Sequence, residues 1–373
     1  MRIGFDAKRA FMNPAGLGNY SRNTLASLHK YHLQNDYVLF TPEVRANLFK
    51  EYRFFDIVTP GNIIDRSFKS YWRSYKLPKL ITENRIEIFH GLSNELPTGI
   101  HHEKVRSAVT IHDLIFLNFP LWYKPIDRKI YLKKVKYACS VADKIVAISE
   151  NTKKDLIEYL NIEPEKIRVI YQPVSEHFFF NSVEDNADEI LERYNLSGTP
   201  YILSVGTIES RKNQLTVLKA IHGNNLDVHY VIVGKPTVYV NEIKEYVRTN
   251  RLNEQVHLLH DVTDLDLPAL YRKALCTVYL SHYEGFGLPV IESMASGCPV
   301  ITSLTSSLPE IGKTAALYCN PDDEKCLANK LTKIINDTEL RQQLSKMGKA
   351  RASSFHPKQR VDALMNLYKE LLE

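Results

Sequence analysis

Short apolar segments that read as strands alternate with helical stretches along nearly the whole chain, and this alternation is the pattern of βα units stacked into a parallel sheet. In the first half, strands are expected at Arg2 to Phe5, Tyr37 to Thr41, Asp56 to Thr59, Ile86 to Phe89, Ser107 to Ile111, Lys144 to Ile148 and Lys166 to Tyr171. Helices fall between them, for example Asn19 to Tyr31 and Asn151 to Leu160. The stretch VSEHFFFNSVEDNADEILERYNLSGTP after Pro173 loses the rhythm and marks a domain boundary. A second series follows at Tyr201 to Gly206, Val228 to Gly234, Gln255 to Leu259, Cys276 to Ser281, Pro299 to Ser303 and Ala316 to Cys319. From Asp322 the chain is helical, and Val361, Leu364, Met365, Tyr368, Leu371 and Leu372 share one helical face that needs a surface to bury it. Parallel sheets of this kind bind ligands at the carboxyl ends of their strands.

Composition narrows the function. At 373 residues with 44% hydrophobic and 24% charged content, disorder, collagen and small disulfide scaffolds are excluded, and about 150 residues per domain gives two domains. No apolar run approaches the ~20 residues of a membrane span. The start MRIGFDAKRA passes directly into a strand, so a soluble, cytoplasmic protein is expected. The five cysteines have no C-x-x-C spacing and the histidines do not cluster, so neither disulfides nor structural zinc is expected. Forty-eight basic against 43 acidic residues leave a net charge of +5, which is no nucleic-acid signature.

The segment YLSHYEGFGLPVIESMASGCPVIT, from Tyr279 to Thr302, carries most of the chemistry: a strand, a glycine-containing loop, and a helix opening near Pro289. Backbone N–H groups at such a helix start attract an anion. Gly285 and Gly287 allow close backbone approach, and Glu292, a turn into the helix, either accepts ribose hydroxyls or merely complements the helix dipole. Strand YILSVG, ending at Gly206, runs into TIESRKNQL, which sets Arg211 and Lys212 at a helix entrance suited to a diphosphate; surface charge is the plain alternative. SAVTIHDLIF delivers His112 and Asp113 to the edge of the first sheet, and PAGLGNY sets Gly16 and Gly18 between the first strand and first helix, as a phosphate loop or an ordinary tight turn.

Glu284 and Glu292 bracket EGFGLPVIE, which resembles the paired-glutamate signature of retaining glycosyltransferase family 4, of the two-domain GT-B fold; SMASGCPVI, GTIESRKNQ and the H-D-L of IHDLIF are similar to further motifs of that family, in the same order. The resemblance spans essentially the full chain. It implies an α/β GT-B architecture: a Rossmann-like acceptor-binding domain at 1–178 and a Rossmann-like donor-binding domain at 179–354 facing a central cleft, with a helix at 355–373 returning to the first. It further implies that Arg211 and Lys212 grip the diphosphate, that Glu284 holds sugar hydroxyls, and that Glu292 binds ribose. Gly206, Gly285, Phe286, Gly287 and Leu288 would line the donor, and Val262 and Leu265 of HDVTDLDLPALY would lie around the base. His112 would lie beside the donor sugar, with Asp113 in a supporting role on the acceptor side. Gly16 and Leu17 would act as lid contacts to the diphosphate or acceptor, and Gly18 would face the acceptor. ISENTKKDL matches a serine-led helix start of the family, or simply an N-cap.

The reaction so implied is retaining transfer of a hexose from a nucleoside diphosphate sugar, with GDP-mannose favoured by the GFDA start, TIHDL and GTIESRKN. The leaving diphosphate takes the acceptor proton on the front face, and domain closure completes the site. DLD at Asp264 to Asp266 opens a helix rather than ending a strand, so no metal and no other cofactor is expected. The acceptor would be a saccharide or lipid-linked saccharide of surface polysaccharide. RSFKSYWRSYKLPKL, with Tyr71, Trp72 and Tyr75 among cations, and KPIDRKIYLKKVKYA would either face the inner membrane surface or the acceptor, or form solvated amphipathic helices. A nucleotide-sugar epimerase of the same fold and a nonenzymatic binding module are the competing readings; a nucleic-acid partner is not expected.

Overall fold

The computed structural model describes residues 1–180 and 186–373. Part of the stretch taken above as the boundary, residues 181–185, lies outside the described residues. The chain divides into two compact units, Met1–Pro173 with Pro357–Glu373, and Val174–His356.

Unit 1 is built on a seven-stranded parallel sheet of β1 (Arg2–Asp6), β2 (Asp36–Phe40), β3 (Asp56–Val58), β4 (Ile88–Gly91), β5 (Arg106–Ile111), β6 (Lys144–Ala147) and β7 (Ile167–Val169), in the order β3-β2-β1-β4-β5-β6-β7. Alternation along the strands sends Ile3 and Phe5 to one face, where helix Gly16–Tyr31 and the final helix Pro357–Leu372 cover them. Val38, Phe40, Phe89 and Val109 point to the other face, under Trp72, Leu77 and Val135. The final helix buries Val361, Leu364, Met365, Leu367, Tyr368 and Leu371. Leu372, expected on that face, is 42% exposed, because the buried stripe turns through Leu367 instead. Each fully buried side chain of this size contributes about 1.5–3 kcal/mol.

The aromatic and basic segment around Trp72 differs from its expectation. Trp72 is core, and Arg73 lies buried beside the carboxyl end of β1, donating to Asp6 Oδ2 at 3.0 and 2.7 Å and to Glu95 Oε2 at 2.8 Å. A turn of π-helix at Trp72–Lys76 turns both side chains inward while Tyr71 and Tyr75 stay exposed. Neither Trp72 nor Arg73 is therefore available to a membrane or a sugar.

Unit 2 holds a six-stranded parallel sheet of β8 (Tyr201–Val205), β9 (His229–Val233), β10 (Val256–Leu259), β11 (Cys276–Tyr279), β12 (Val300–Ser303) and β13 (Leu317–Cys319), in the order β10-β9-β8-β11-β12-β13. In both sheets the strand order reverses beside the first strand, between β1 and β4 and between β8 and β11, and the crevice at the carboxyl side of such a reversal is where α/β folds bind ligands.

Candidate active site

Past the end of β8, the turn Ser210–Lys212 leads through Asn213, at φ 60°, into helix Gln214–Gly223. Asn213 Nδ2 donates to Pro321 O at 2.7 Å and anchors the turn. From β11 the chain passes Ser281 and Glu284 into helix Leu288–Ala295, with Pro289 in its first turn. Gly287 sits at φ 114°, where a Cβ would fall 2.7 Å from Leu308 Cδ2, so both conformation and space require glycine. Ser307 Oγ donates to the carbonyls of Glu284 and Phe286 at 3.0 and 2.6 Å, and Glu284 N donates to Ser306 Oγ at 2.8 Å. The loop is thus pinned from below, and no side chain caps the helix it opens.

Glu284 is the hub. Its Oε1 receives Lys212 Nζ at 2.5 Å, Ser281 Oγ at 2.6 Å, Arg211 Nη1 at 2.8 Å and Tyr279 OH at 2.9 Å. Lys212 also donates to Tyr279 OH, and Arg211 is steered by Glu209 Oε1 at 2.6 Å and Tyr283 O at 2.7 Å. Burial would raise the Glu284 carboxyl, but Lys212 and Arg211 outweigh it and hold it near 2. Two basic side chains, the carboxylate they hold in its ionised form, and a helix start without a side-chain cap therefore converge at the β8/β11 reversal. The arrangement can grip a diphosphate and stabilise it as a leaving group.

Glu292 lies a turn into the same helix, accepting from Tyr271 OH at 3.1 Å. Burial, with Asp264 adding to it and Tyr271 opposing, pushes its carboxyl up to about 7. Asp264 belongs to the loop after β10 that carries Val262 and Leu265, so this loop and Glu292 share one neighbourhood. Leu265 is 69% exposed. Asp266 is the N-cap residue of helix Leu267–Lys273, and its carboxylate is engaged by Arg193 and Tyr194.

In unit 1, β5 ends at Ile111 and presents His112. The Leu92 carbonyl, 2.9 Å from Nε2, can only accept, so Nε2 carries the proton and Nδ1 accepts from Gln172 Nε2 at 3.3 Å. Burial, with the charge of Arg9 added and the Leu92 carbonyl opposing, lowers this imidazole to about 4. Burial thus disfavours the charged imidazole, and both of its nitrogens are engaged. Its edge meets the Tyr20 ring at 4.7 Å, its N–H donates to Asn94 Oδ1 at 2.8 Å, and its carbonyl accepts from Thr152 Oγ1 at 3.2 Å. Ser149 N-caps helix Glu150–Leu160 through Thr152 N, so the serine-led segment is both a cap and a brace for His112. Beneath lies a buried relay: Tyr20 OH with Thr110 Oγ1 at 3.0 Å, Thr110 with His90 Nε2 at 2.9 Å, and His90 Nδ1 with Tyr368 OH at 2.6 Å.

One expectation changes here. Helix Gly16–Tyr31 starts at Gly16, so Gly16, Leu17 and Gly18 form its first turn rather than a loop before it. A Cβ at Gly18 would lie 1.7 Å from Asn13 O, so close packing of backbone accounts for this glycine, whereas Gly16 stands in open space. Asp113 Oδ1 accepts from Ile115 N at 3.2 Å, ahead of the short helix Ile115–Asn118.

The structure thus brings Gly206, Arg211, Lys212, Glu284, Gly285, Phe286, Gly287 and Leu288 to one sheet edge, with Glu292 in the helix they open. Gly16 and His112 lie in unit 1, where Tyr20 links their elements. Sequence reasoning missed Tyr279, Ser281, Ser306 and Ser307 around Glu284, and Gln172 and Asn94 around His112. Only Tyr279, at a strand end, and Glu209, inside the GTIESRKN segment, left a signal. Among the described residues no three His, Cys, Asp or Glu are grouped as a metal ion would require.

Comparison with known proteins agrees with this geometry. The family described as Glycosyltransferase Family 4 matches residues 14–178, and that described as Glycosyl transferases group 1 matches residues 186–351. The O-antigen chain mannosyltransferase B of Escherichia coli is 29% identical over 289 residues, covering 76% of this chain and 74% of its own length. O-antigen chain mannosyltransferase RfbU of Salmonella typhimurium is 27% identical over 320 residues, covering 83% of this chain and 84% of its own. Sucrose-phosphate synthase from Thermosynechococcus elongatus superposes with a TM-score of 0.81 over 100% of this chain and 99% of its own, at 19% identity. A glycosyltransferase from Rickettsia africae gives 0.78 over 100% and 98%, at 19% identity. Two Rossmann-like parallel-sheet units and these neighbours define the GT-B fold, and the family matches and relatives make the chain a glycosyltransferase. The chain is a GT4-type glycosyltransferase, its first half matching the family described as Glycosyltransferase Family 4 and its second half the one described as Glycosyl transferases group 1.

Proposed function

We propose that this glycosyltransferase moves mannose from GDP-mannose, with retention of configuration, to a hydroxyl of a lipid-linked saccharide in surface polysaccharide assembly. The observation that carries the nucleotide-sugar reading is the convergence of Arg211 and Lys212 on Glu284 beside an uncapped helix start. The mannose and polysaccharide readings draw support from the O-antigen mannosyltransferases among the relatives. Anabaena HepE, of similar fold, was solved with UDP and with UDP-glucose, so the base is what the experiment must decide.

In this scheme the diphosphate departs against Arg211 and Lys212, which take up its developing charge without a metal. The acceptor hydroxyl approaches on the same face and gives its proton to the leaving phosphate, which requires no protein base. Glu284, ionised throughout, holds sugar hydroxyls. His112, kept neutral, sets no positive charge against an oxocarbenium-like sugar. Glu292 receives ribose hydroxyls, and Val262 and Leu265 flank the base.

Thermal unfolding of the purified chain in EDTA, with GDP, UDP, ADP, dTDP and their sugars, tests the donor. Stabilisation by GDP and GDP-mannose is expected. Stabilisation by another base alone would overturn the donor assignment, and a requirement for added divalent metal would overturn metal independence. Formation of an epimeric nucleotide sugar without any acceptor would favour an epimerase instead.

A further inference from the structure

Two of the five cysteines meet in unit 2. Cys319 ends β13 and is buried, whereas Cys326 lies in the first turn of helix Glu324–Asn336 and is partly exposed. Asp323 caps that helix by accepting from Cys326 N at 2.9 Å, and the cap fixes Cys326 with its sulfur 2.9 Å from Cys319 Sγ. Both cysteines are free thiols. Their sulfurs have less than about 1 Å to close before they reach the ~2.05 Å of a disulfide. Residues 320–325 separate the two, so no C-x-x-C spacing announces the pair.

The two sulfurs sit in different surroundings. Burial, with the Cys326 sulfur adding to it and Lys330 opposing, pushes the Cys319 thiol up to about 12, so this one keeps its proton. Beside Cys326, one turn along the helix, Lys330 Nζ stands 3.1 Å from the sulfur. Partial burial works against the ammonium, but the bond to Cys326 and the charges of both sulfurs raise Lys330 above its ordinary value. The attacking species in thiol–disulfide exchange is a thiolate, and such a cation stabilises negative charge on sulfur. The loop between the cysteines also reaches the candidate active site. Pro321 O accepts from Asn213 Nδ2 at 2.7 Å, the bond that anchors the turn Ser210–Lys212. Its neighbour Asp322 has Oδ1 3.9 Å from Nε2 of His282, a residue whose backbone N donates to Arg211 O at 2.9 Å.

We propose that Cys319 and Cys326 are a redox-responsive dithiol, converted reversibly to a disulfide by exchange with a small-molecule disulfide of the glutathione type, and that closing this ring loosens the turn bearing Arg211 and Lys212. Cys326, the exposed member, gives its proton to solvent and attacks as the thiolate. The S–S bond of the reagent breaks, and one small thiolate leaves and takes a proton from water. Cys319 then attacks Cys326 Sγ of the mixed disulfide and passes its own proton to the second departing sulfur. Two protein thiols and one small disulfide thus give one protein disulfide and two small thiols, and excess thiol runs the exchange backward. Drawing the helix start toward β13 contracts the loop that holds Pro321, so its carbonyl withdraws from Asn213. In a reducing compartment a pair of this kind responds to oxidant rather than serving as a fixed staple. The effect on ligand rests on the nucleotide-sugar reading, whereas the chemistry of the sulfurs does not.

The test equilibrates the full chain in mixtures of reduced and oxidised glutathione, quenches it in acid, and alkylates and weighs it by mass spectrometry. The reduced protein should take up five alkyl groups, one per cysteine. The oxidised protein should take up two fewer, with the peptides of Cys319 and Cys326 joined. Cys319→Ser should retain glutathione on Cys326, because no second thiol resolves the mixed disulfide, and Cys326→Ser should form no internal disulfide at any ratio. Lys330→Gln should slow the exchange about 5-fold, the order for two unit charges in contact through water. Titration calorimetry with whichever of GDP, UDP, ADP and dTDP stabilises the reduced protein should show binding about 5-fold weaker after oxidation, the ratio for one hydrogen bond lost. Dithiothreitol should restore it, and Cys326→Ser should not respond. Absence of the joined peptides at high oxidised glutathione overturns the proposal, and a disulfide that leaves nucleotide binding unchanged overturns its coupling to the turn. A disulfide formed in a protein that binds none of these nucleotides leaves the dithiol standing and removes the nucleotide-sugar reading.

Discussion

Replacing Glu292 by Gln tests the local electrostatics of helix Leu288–Ala295 most directly. In the folded protein burial raises this carboxyl from 4.5 to about 7, whereas in the unfolded chain it returns to its ordinary value. The folded state therefore binds the proton more tightly, and stability falls as pH rises between those values. Relative to its value at high pH, the contribution is fully present below about pH 4.5 and lost as pH climbs through about 7. A difference of that size is worth roughly 3 kcal/mol, and the partial exposure of Glu292 lets solvent screen it to about 2 kcal/mol. Glutamine keeps an oxygen for Tyr271 and cannot ionise. The variant should match the wild type at about pH 4.5 and exceed it at about pH 8 by about 2 kcal/mol, or roughly 4–8 °C in Tm for a unit of this size. Urea and thermal unfolding of both proteins across this pH range supply the measurement. A difference that stays constant with pH would refute the reasoning, because a purely steric effect of the substitution carries no pH dependence.

Other consequences can be checked alongside. Nucleotide hydroxyls donating to Glu292 favour its ionised form, so titration calorimetry should find the donor nucleotide binding more tightly at about pH 8 than at about pH 6, with proton release; binding independent of pH would remove the ribose role. Arg211→Ala should cut kcat/KM by more than about 10-fold, the order expected on losing an electrostatic contact to a leaving group, and unchanged turnover would take that residue out of the scheme. Arg73→Ala leaves Asp6 and Glu95 without their buried cation, and urea unfolding should register a loss of about 3–5 kcal/mol. Gly287→Ala forces a side chain into φ 114° against Leu308, for which the same assay should show about 1–3 kcal/mol.

The sheets were legible because parallel strands, covered on both faces, appear as compact apolar runs such as YILSV and CTVY. The loops at Ser210–Lys212 and before helix Leu288–Ala295 were legible for a different reason: such helix entrances carry glycine, proline and cations at fixed offsets, as EGFGLP and ESRKN do. What surrounds those residues was not. Ser306 and Ser307 reach the loop across the sheet edge from beyond β12, and Gln172 reaches His112 from beyond β7, so no local spacing could announce them. Arg73 misled for the same reason. Its neighbours in sequence are exposed tyrosines and cations, whereas its partners Asp6 and Glu95 come from the end of β1 and the loop after β4. Gly18 shows the converse, a glycine whose residue type suggested a ligand while a neighbouring carbonyl already required it.

The return of residues 357–373 to unit 1 also governs how the protein is born. A ribosome finishes all of Val174–His356 before the last helix emerges, so unit 2 has its complete sequence while unit 1 still lacks an element. Throughout that interval the sheet face bearing Ile3, Phe5 and Ile88 waits without Leu364, Met365 and Tyr368, and His90 without its hydroxyl partner. The nascent chain thus carries an open apolar surface on unit 1 until residues 357–373 have emerged, long after the rest of that unit has been made, and a surface exposed for that interval is open to misassembly.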